Sequence, residues 1–130
     1  MVDAGPLVAL VDPEDSAHDW AKVIFTQLPG RFLTFEAAVS EAMHILDNQA
    51  GAWEKLGEIV ARLFVVPLTG EDMTGIFREG RKWAPRMDFA DACAVHLVRA
   101  HSRAFALTTD FRDFAAYRVP FASPEGQFFG

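Results

Sequence analysis

The chain has a single cysteine, Cys93, among 130 residues, so no internal disulfide can form. Nor does that cysteine stand at zinc-finger spacing from any of the four histidines. Long apolar runs are missing as well. No stretch reaches the roughly 18 apolar residues of a membrane span. The opening "MVDAGPLVAL" puts an acid at position 3 and has no basic start, which argues against a secretory leader. The expectation is a soluble protein of a reducing, cytoplasmic compartment with no membrane partner. Positive charge is scarce: 12 Lys and Arg against 18 Asp and Glu leave a net charge of −6. That balance excludes a protein that coats nucleic acid by bulk charge but leaves room for a local basic patch. No serine sits in a G-x-S-x-G turn and no glycine-rich loop has a P-loop or dinucleotide pattern. Cys93 has no activating neighbour in sequence, and the scattered His18, His44, His96 and His101 read as surface or satisfied core histidines.

What is present is apolar and periodic. With 51% hydrophobic residues over 130 positions, one domain spanning 1–130 can bury a core of its own. "DSAHDWAKVIFTQLPG" reads as a helix with Trp20, Val23, Ile24 and Leu28 on one face and a Pro-Gly stop. "RFLTF" and "FVVPL" read as short strands. "EAAVSEAMHILDNQAG" is a helix with Ala38, Ala42, Ile45 and Leu46 near one stripe, and residues 53–63 form another. "GEDMTGIFREG" predicts a shorter, Gly-bounded helix, "MDFADACAVHLVRAH" a long one, "AFALTTD" a strand and "FRDFAAYR" a last short helix. The tail "SPEGQFFG" reads as loose, although Phe128 and Phe129 would be unusual in plain solvent. This βα alternation predicts an α/β chain, a three-layer α/β/α sandwich around a mostly parallel central sheet.

Acids at strand ends then matter, because ligands of open α/β sheets bind outside the carboxyl ends of the strands. Asp3 follows the first apolar residues, Asp110 ends "AFALTTD", and Asp91 lies in the first turn of the "MDFADACAVHL" helix. Glu41 sits inside a helix that otherwise buries itself, where a carboxylate must be paired, ligated or solvated. For Asp88 and Asp91 the plain alternative is helix capping. Crowded carboxylates make sense when cations hold them or their pKa values are raised. Hard oxygen ligands of this kind suit Mg²⁺ or Mn²⁺, and the matching chemistry is metal-assisted phosphodiester cleavage.

Four segments, "VDAGPLVALVDPEDSAHDWA", "SEAMHIL", "MDFADACAVHLVRA" and "ALTTDFRDFAAYR", together resemble the PIN domain family, specifically its VapC-like ribonuclease toxins, in order and spacing over nearly the whole chain. The resemblance implies a single PIN-like domain acting as a Mg²⁺- or Mn²⁺-dependent endoribonuclease. Its acidic quartet falls on Asp3, Glu41, Asp91 and Asp110, with Asp88 as an accessory metal acid and Asp113 as a weaker one. It further implies a cognate antitoxin that covers the acidic crevice, and a homodimer. The chain departs from the family in two places: Ala4 stands where Thr or Ser usually follows the first aspartate, and only Met1 and Val2 precede that aspartate.

RNA binding needs cations. "FREGRKWAPR" gathers Arg78, Arg81, Lys82 and Arg86 around Trp83 just before the acidic helix. These cations are suited to phosphates and Trp83 to an unpaired base, the alternative being a solvated loop with its Trp in the core. Arg112 and Arg118 flank the last acidic motif. Two functions stand: the ribonuclease, favoured by the retention of all four acids, and a PIN-like RNA-binding or protein-interaction module without turnover.

Overall fold

The computed structural model describes residues 1–129. In chain order the elements are α1 (Ala4–Val11), α2 (His18–Gln27), β1 (Leu33–Thr34), α3 (Glu36–Leu46), α4 (Ala52–Ala61), β2 (Phe64–Val65), α5 (Gly70–Trp83), α6 (Phe89–Ala100), β3 (Ala106–Leu107), α7 (Phe111–Tyr117), β4 (Phe121–Ser123) and β5 (Gly126–Phe128). β1 pairs with β2 and β3 with β4, both parallel, while β5 runs antiparallel to β4.

Residues 1–3 join these ladders. Val2 bridges Leu107 in parallel. The Val2 amide donates to the Leu33 carbonyl at 2.6 Å, the Asp3 amide to the Leu107 carbonyl at 3.0 Å and the Leu107 amide to the Met1 carbonyl at 2.7 Å. Thr34 Oγ1 donates to the Val2 carbonyl at 2.9 Å. Two residues therefore suffice to hold Asp3 at the mouth of the sheet, because the backbone groups of Met1 and Val2 and the Asp3 amide are all tied to neighbouring segments. The order β2, β1, residues 1–3, β3, β4, β5 is the mostly parallel centre of the expected α/β/α sandwich.

α6 is the buried spine. Eight of its twelve residues are buried, four of them Ala or Cys, so α5, α3 and β3 approach it closely. The largest side chains of the core, Tyr117, Phe35, Phe114, Phe121 and Leu7, come from four different elements or their edges.

Several expectations are corrected. "GEDMTGIFREG" does not end its helix at Gly80: α5 continues to Trp83 and stops before Pro85, which cannot extend it. The glycine at 75 is needed for packing, since a Cβ there would meet the His96 ring at 2.6 Å. As far as Phe129, the last described residue, the tail is not loose. Ser123 Oγ accepts from the Glu125 and Gly126 amides and donates to the Gly126 carbonyl, which turns the chain so that β5 pairs with β4. Phe129 packs edge-on against Phe105, with ring centroids 5.2 Å apart. Ile45 and Val23, placed on apolar stripes by periodicity, are exposed because each lies at the edge of its stripe. The first apolar residues, moreover, turn into helix α1 straight after Asp3.

Candidate metal centre

Three of the acids occupy N-cap positions: Asp3 before α1, Asp88 before α6 and Asp110 before α7. The start of a helix carries positive partial charge, which favours carboxylates there. Their side chains do different work. Asp88 Oδ1 accepts from the Asp91 amide at 2.8 Å and Asp110 Oδ1 from the Asp113 amide at 3.2 Å, so both are true caps. Asp91, three residues on from Asp88, returns no bond to the cap. Its Oδ2 instead accepts from the Tyr117 hydroxyl at 2.9 Å. The capping alternative therefore accounts for Asp88 and not for Asp91.

The close approach of α1 to the loop after β3 depends on Gly5, where a Cβ would lie 2.0 Å from Thr109 Oγ1. Next to it, Thr108 Oγ1 donates to Asp3 Oδ2 at 3.2 Å and accepts from the Asp110 amide at 3.0 Å. Thr108 thus supplies to Asp3 the hydroxyl that Ala4 lacks, and locks the loop bearing Asp110 to the acid at the opposite end of the chain.

One oxygen each of Asp91, Asp110 and Asp113 lie within 4.8 Å of one another. Asp113, assigned only a weak accessory role from sequence, belongs to the tightest trio. Asp3 and Glu41 lie outside that trio: Asp3 acts on Asp91, and Glu41 acts on Asp3 and is itself acted on by Asp88. Asp3 is pushed up to about 6, first by burial and then, against the opposing Ala4 amide, by Glu41. Asp91 is pushed up to about 8 by burial first, then by Asp3 and Asp88. Burial and the Asp88 charge raise Glu41, and burial with Asp110 raises Asp113. In each case burial is the largest cause and a neighbouring carboxylate adds to it.

The site fits a hard divalent cation. Asp3 Oδ1 is buried and accepts no hydrogen bond among the described residues, while the Asp91–Asp110–Asp113 oxygens stand at ligand spacing and are all carboxylate. An orphaned buried carboxylate oxygen beside further carboxylates is costly without a cation.

The basic run is on helix α5 and the turn after it. Lys82 Nζ stands 5.3 Å from the Trp83 ring centre, and Trp83 turns its edge to Tyr117 at 5.6 Å, half-buried against the core. Arg86 Nε reaches Asp113 Oδ1 at 3.8 Å, a partly exposed pair of small energetic weight. Arg81 lines a cavity with Asp88. Lys82 and Trp83 line another with Arg99 and Arg118.

Thr108 and Tyr117 were not singled out from sequence. Thr108 had a usable signal, a hydroxyl two residues before Asp110. Tyr117 had none, since 26 residues separate it from Asp91. His96 and His18 are satisfied structural histidines: His96 Nε2 pairs with Asp72 at 2.9 Å and His18 Nδ1 with the Ala9 carbonyl at 2.6 Å. Cys93 is fully buried, and burial raises its thiol to about 11.

No protein-family model matches the chain, and no curated protein matches it by sequence. Among solved structures it is similar to Mycobacterium tuberculosis VapC20, a sarcin-ricin-loop-cleaving toxin, with a TM-score of 0.76 and 20% identity over 88% of this chain and 92% of that one. At that identity the likeness is one of fold, and the VapC-like PIN architecture implied by the sequence is the architecture found.

Proposed function

We propose that this chain is a Mg²⁺- or Mn²⁺-dependent endoribonuclease, the toxin of a toxin–antitoxin pair, with Asp3, Glu41, Asp91 and Asp110 as its catalytic acids and Asp88 and Asp113 beside them. One observation carries the reading: buried Asp3, with an orphaned oxygen, faces the same acidic cluster as the closely spaced carboxylates of Asp91, Asp110 and Asp113. A bound divalent cation supplies hydroxide from water and neutralises charge on the attacking and leaving oxygens of a phosphodiester.

The chain's own residues do the rest. Asp3, Asp91, Asp110 and Asp113 offer the oxygens that would hold the cation, with Glu41 and Asp88 at the edge to orient water. Thr108 and Tyr117 keep Asp3 and Asp91 in place through one hydrogen bond each. Arg81, Lys82 and Arg86 hold and position the RNA, since phosphate contacts fix register without performing chemistry, while Trp83 packs against Tyr117. A cytoplasmic antitoxin that covers the crevice, and a homodimer, complete the proposal.

The fold neighbour makes a sarcin-ricin-type RNA hairpin the first substrate to try. With Mg²⁺ or Mn²⁺ the purified chain is expected to cut single-stranded loops in structured RNA. EDTA abolishes the cleavage, and Asp3→Ala or Asp110→Ala lowers the rate by at least about a hundredfold. Cleavage that survives both EDTA and Asp110→Ala rules the mechanism out. Metal-independent RNA binding with no cleavage across a broad RNA panel would establish the binding module instead.

A further inference from the structure

An acidic nuclease has a physical problem. With a net charge of −6 and six carboxylates at or around the proposed centre, the phosphate backbone contributes little attraction and the site itself repels it. Beyond a few local cations such as Arg81, affinity for RNA has to come from contacts that do not depend on charge. Stacking of unpaired bases on aromatic rings is such a contact.

Trp83 offers little free ring surface, because its edge meets Tyr117 and Lys82 lies over it. Two other aromatics near the acids are open. Phe77 on α5 is 57% exposed and Phe89, the first residue of α6, is 47% exposed. Their ring centroids are 6.2 Å apart and the planes are tilted by 55°, so the pair forms an open wedge. Both rings line a cavity of about 320 Å³ together with Ile76, Met87, Arg81 and Asp88. The rings and apolar floor suit a base, Arg81 suits its phosphate, and Asp88 places the cavity beside the acidic cluster. Phe89 also lines a second hollow that includes Ser40, the neighbour of Glu41, so its ring lies between the two.

We propose that Phe77 and Phe89 form a stacking site for one unpaired nucleobase of the RNA substrate, with Arg81 on the adjoining phosphate. The inference rests on the nuclease reading above and identifies where that site grips its substrate. Most of the grip at Phe77 and Phe89 is independent of salt, and that at Arg81 is not. Trp53, 74% exposed on α4, lines a different hollow and has no part in it.

The test uses an RNA hairpin with 2-aminopurine in its loop, bound by the full chain carrying Asp110→Asn in Mg²⁺. Binding of this parent is expected to quench the 2-aminopurine. Phe77→Leu and Phe89→Leu keep apolar bulk while removing the ring, and each is expected to weaken binding about tenfold and to reduce quenching, with the salt dependence unchanged. Phe77→Tyr and Phe89→Tyr retain both signals, as does Trp53→Ala. Arg81→Ala lowers the slope of log affinity against log salt by about one. Leucine variants that melt like the parent and bind the hairpin equally well overturn the inference. The same result with an altered elution volume also overturns it and makes the wedge a protein interface. A parent that binds none of a panel of structured RNAs fails earlier, at the nuclease reading itself, and takes the inference with it.

Discussion

The Tyr117 hydroxyl donates a 2.9 Å hydrogen bond to Asp91 Oδ2, tying the end of α7 to the first turn of α6. Both side chains are buried, and Trp83 and Phe114 pack edge-on against the tyrosine ring at 5.6 and 5.4 Å. One carboxylate oxygen of Asp91 is thereby committed to the protein. The orientation of the other is set by an aromatic cluster that cannot itself bind a metal.

Tyr117→Phe is expected to leave that packing in place and delete only the bond. The cost to stability is about 1 kcal/mol. Groups that orient metal ligands typically govern affinity by roughly 10- to 100-fold, so the Mg²⁺ concentration that half-stabilises the protein rises by about tenfold. Thermal melts across a Mg²⁺ titration read both quantities. An unchanged Mg²⁺ midpoint reduces the bond to a packing role.

Asp91→Asn keeps an oxygen for Tyr117 and removes a charge that burial, Asp3 and Asp88 all disfavour. Without metal the variant is expected to melt higher than the parent by a few degrees, consistent with roughly 1 kcal/mol. With Mg²⁺ the order reverses, since only the parent gains ligand stabilisation. A lower melting temperature for the variant under both conditions contradicts the acidic-centre account.

Gly5→Ala places a methyl 2.0 Å from Thr109 Oγ1 and 2.9 Å from its Cβ. Overpacking of this kind costs roughly 1–3 kcal/mol, and here it also pushes Asp3 away from Thr108. Chemical denaturation is expected to show the loss. Thr109→Gly in the same chain removes the atoms in conflict and recovers most of it. A double variant no better than Gly5→Ala points to a cause other than this contact.

Asp72 supplies the pH-dependent link between α5 and α6. The Thr69 amide first, and then His96, hold its carboxyl at about 2, below the ordinary 3.8. A depressed folded-state value means the contribution to stability is complete above 3.8 and disappears as pH falls toward 2. Asp72→Asn is therefore expected to melt below the parent at neutral pH, with the gap closing through that acid window. Denaturation curves at stepped pH check it, and a gap that stays constant excludes the linkage.

Sequence was informative where chemistry is carried by residue type at a local position. Asp88 read as a cap and is one, because an N-cap bond spans three residues of the same helix. α3, α4 and α6 were legible from 3.6-residue periodicity, and β3 from its apolar run ending at Asp110. The end of α5 was misread because Gly80 costs a helix only about 1 kcal/mol, which the packing of α5 on α6 readily offsets. The β4–β5 hairpin was missed because its turn is organised by the Ser123 hydroxyl rather than by a strong dipeptide signal.

By itself, then, the sequence determined the α/β alternation, the supply of acids at strand and helix ends, and the shortage of cations. Tertiary structure alone decided that Asp113 joins Asp91 and Asp110 within 4.8 Å, that Thr108 serves Asp3 across 105 residues, and that Phe77 and Phe89 rather than Trp83 stand open beside the acids. The reason is physical. Periodicity reports which face of an element is apolar, whereas the direction of a carboxylate or a ring depends on neighbours brought together by packing and hydrogen bonds from distant parts of the chain.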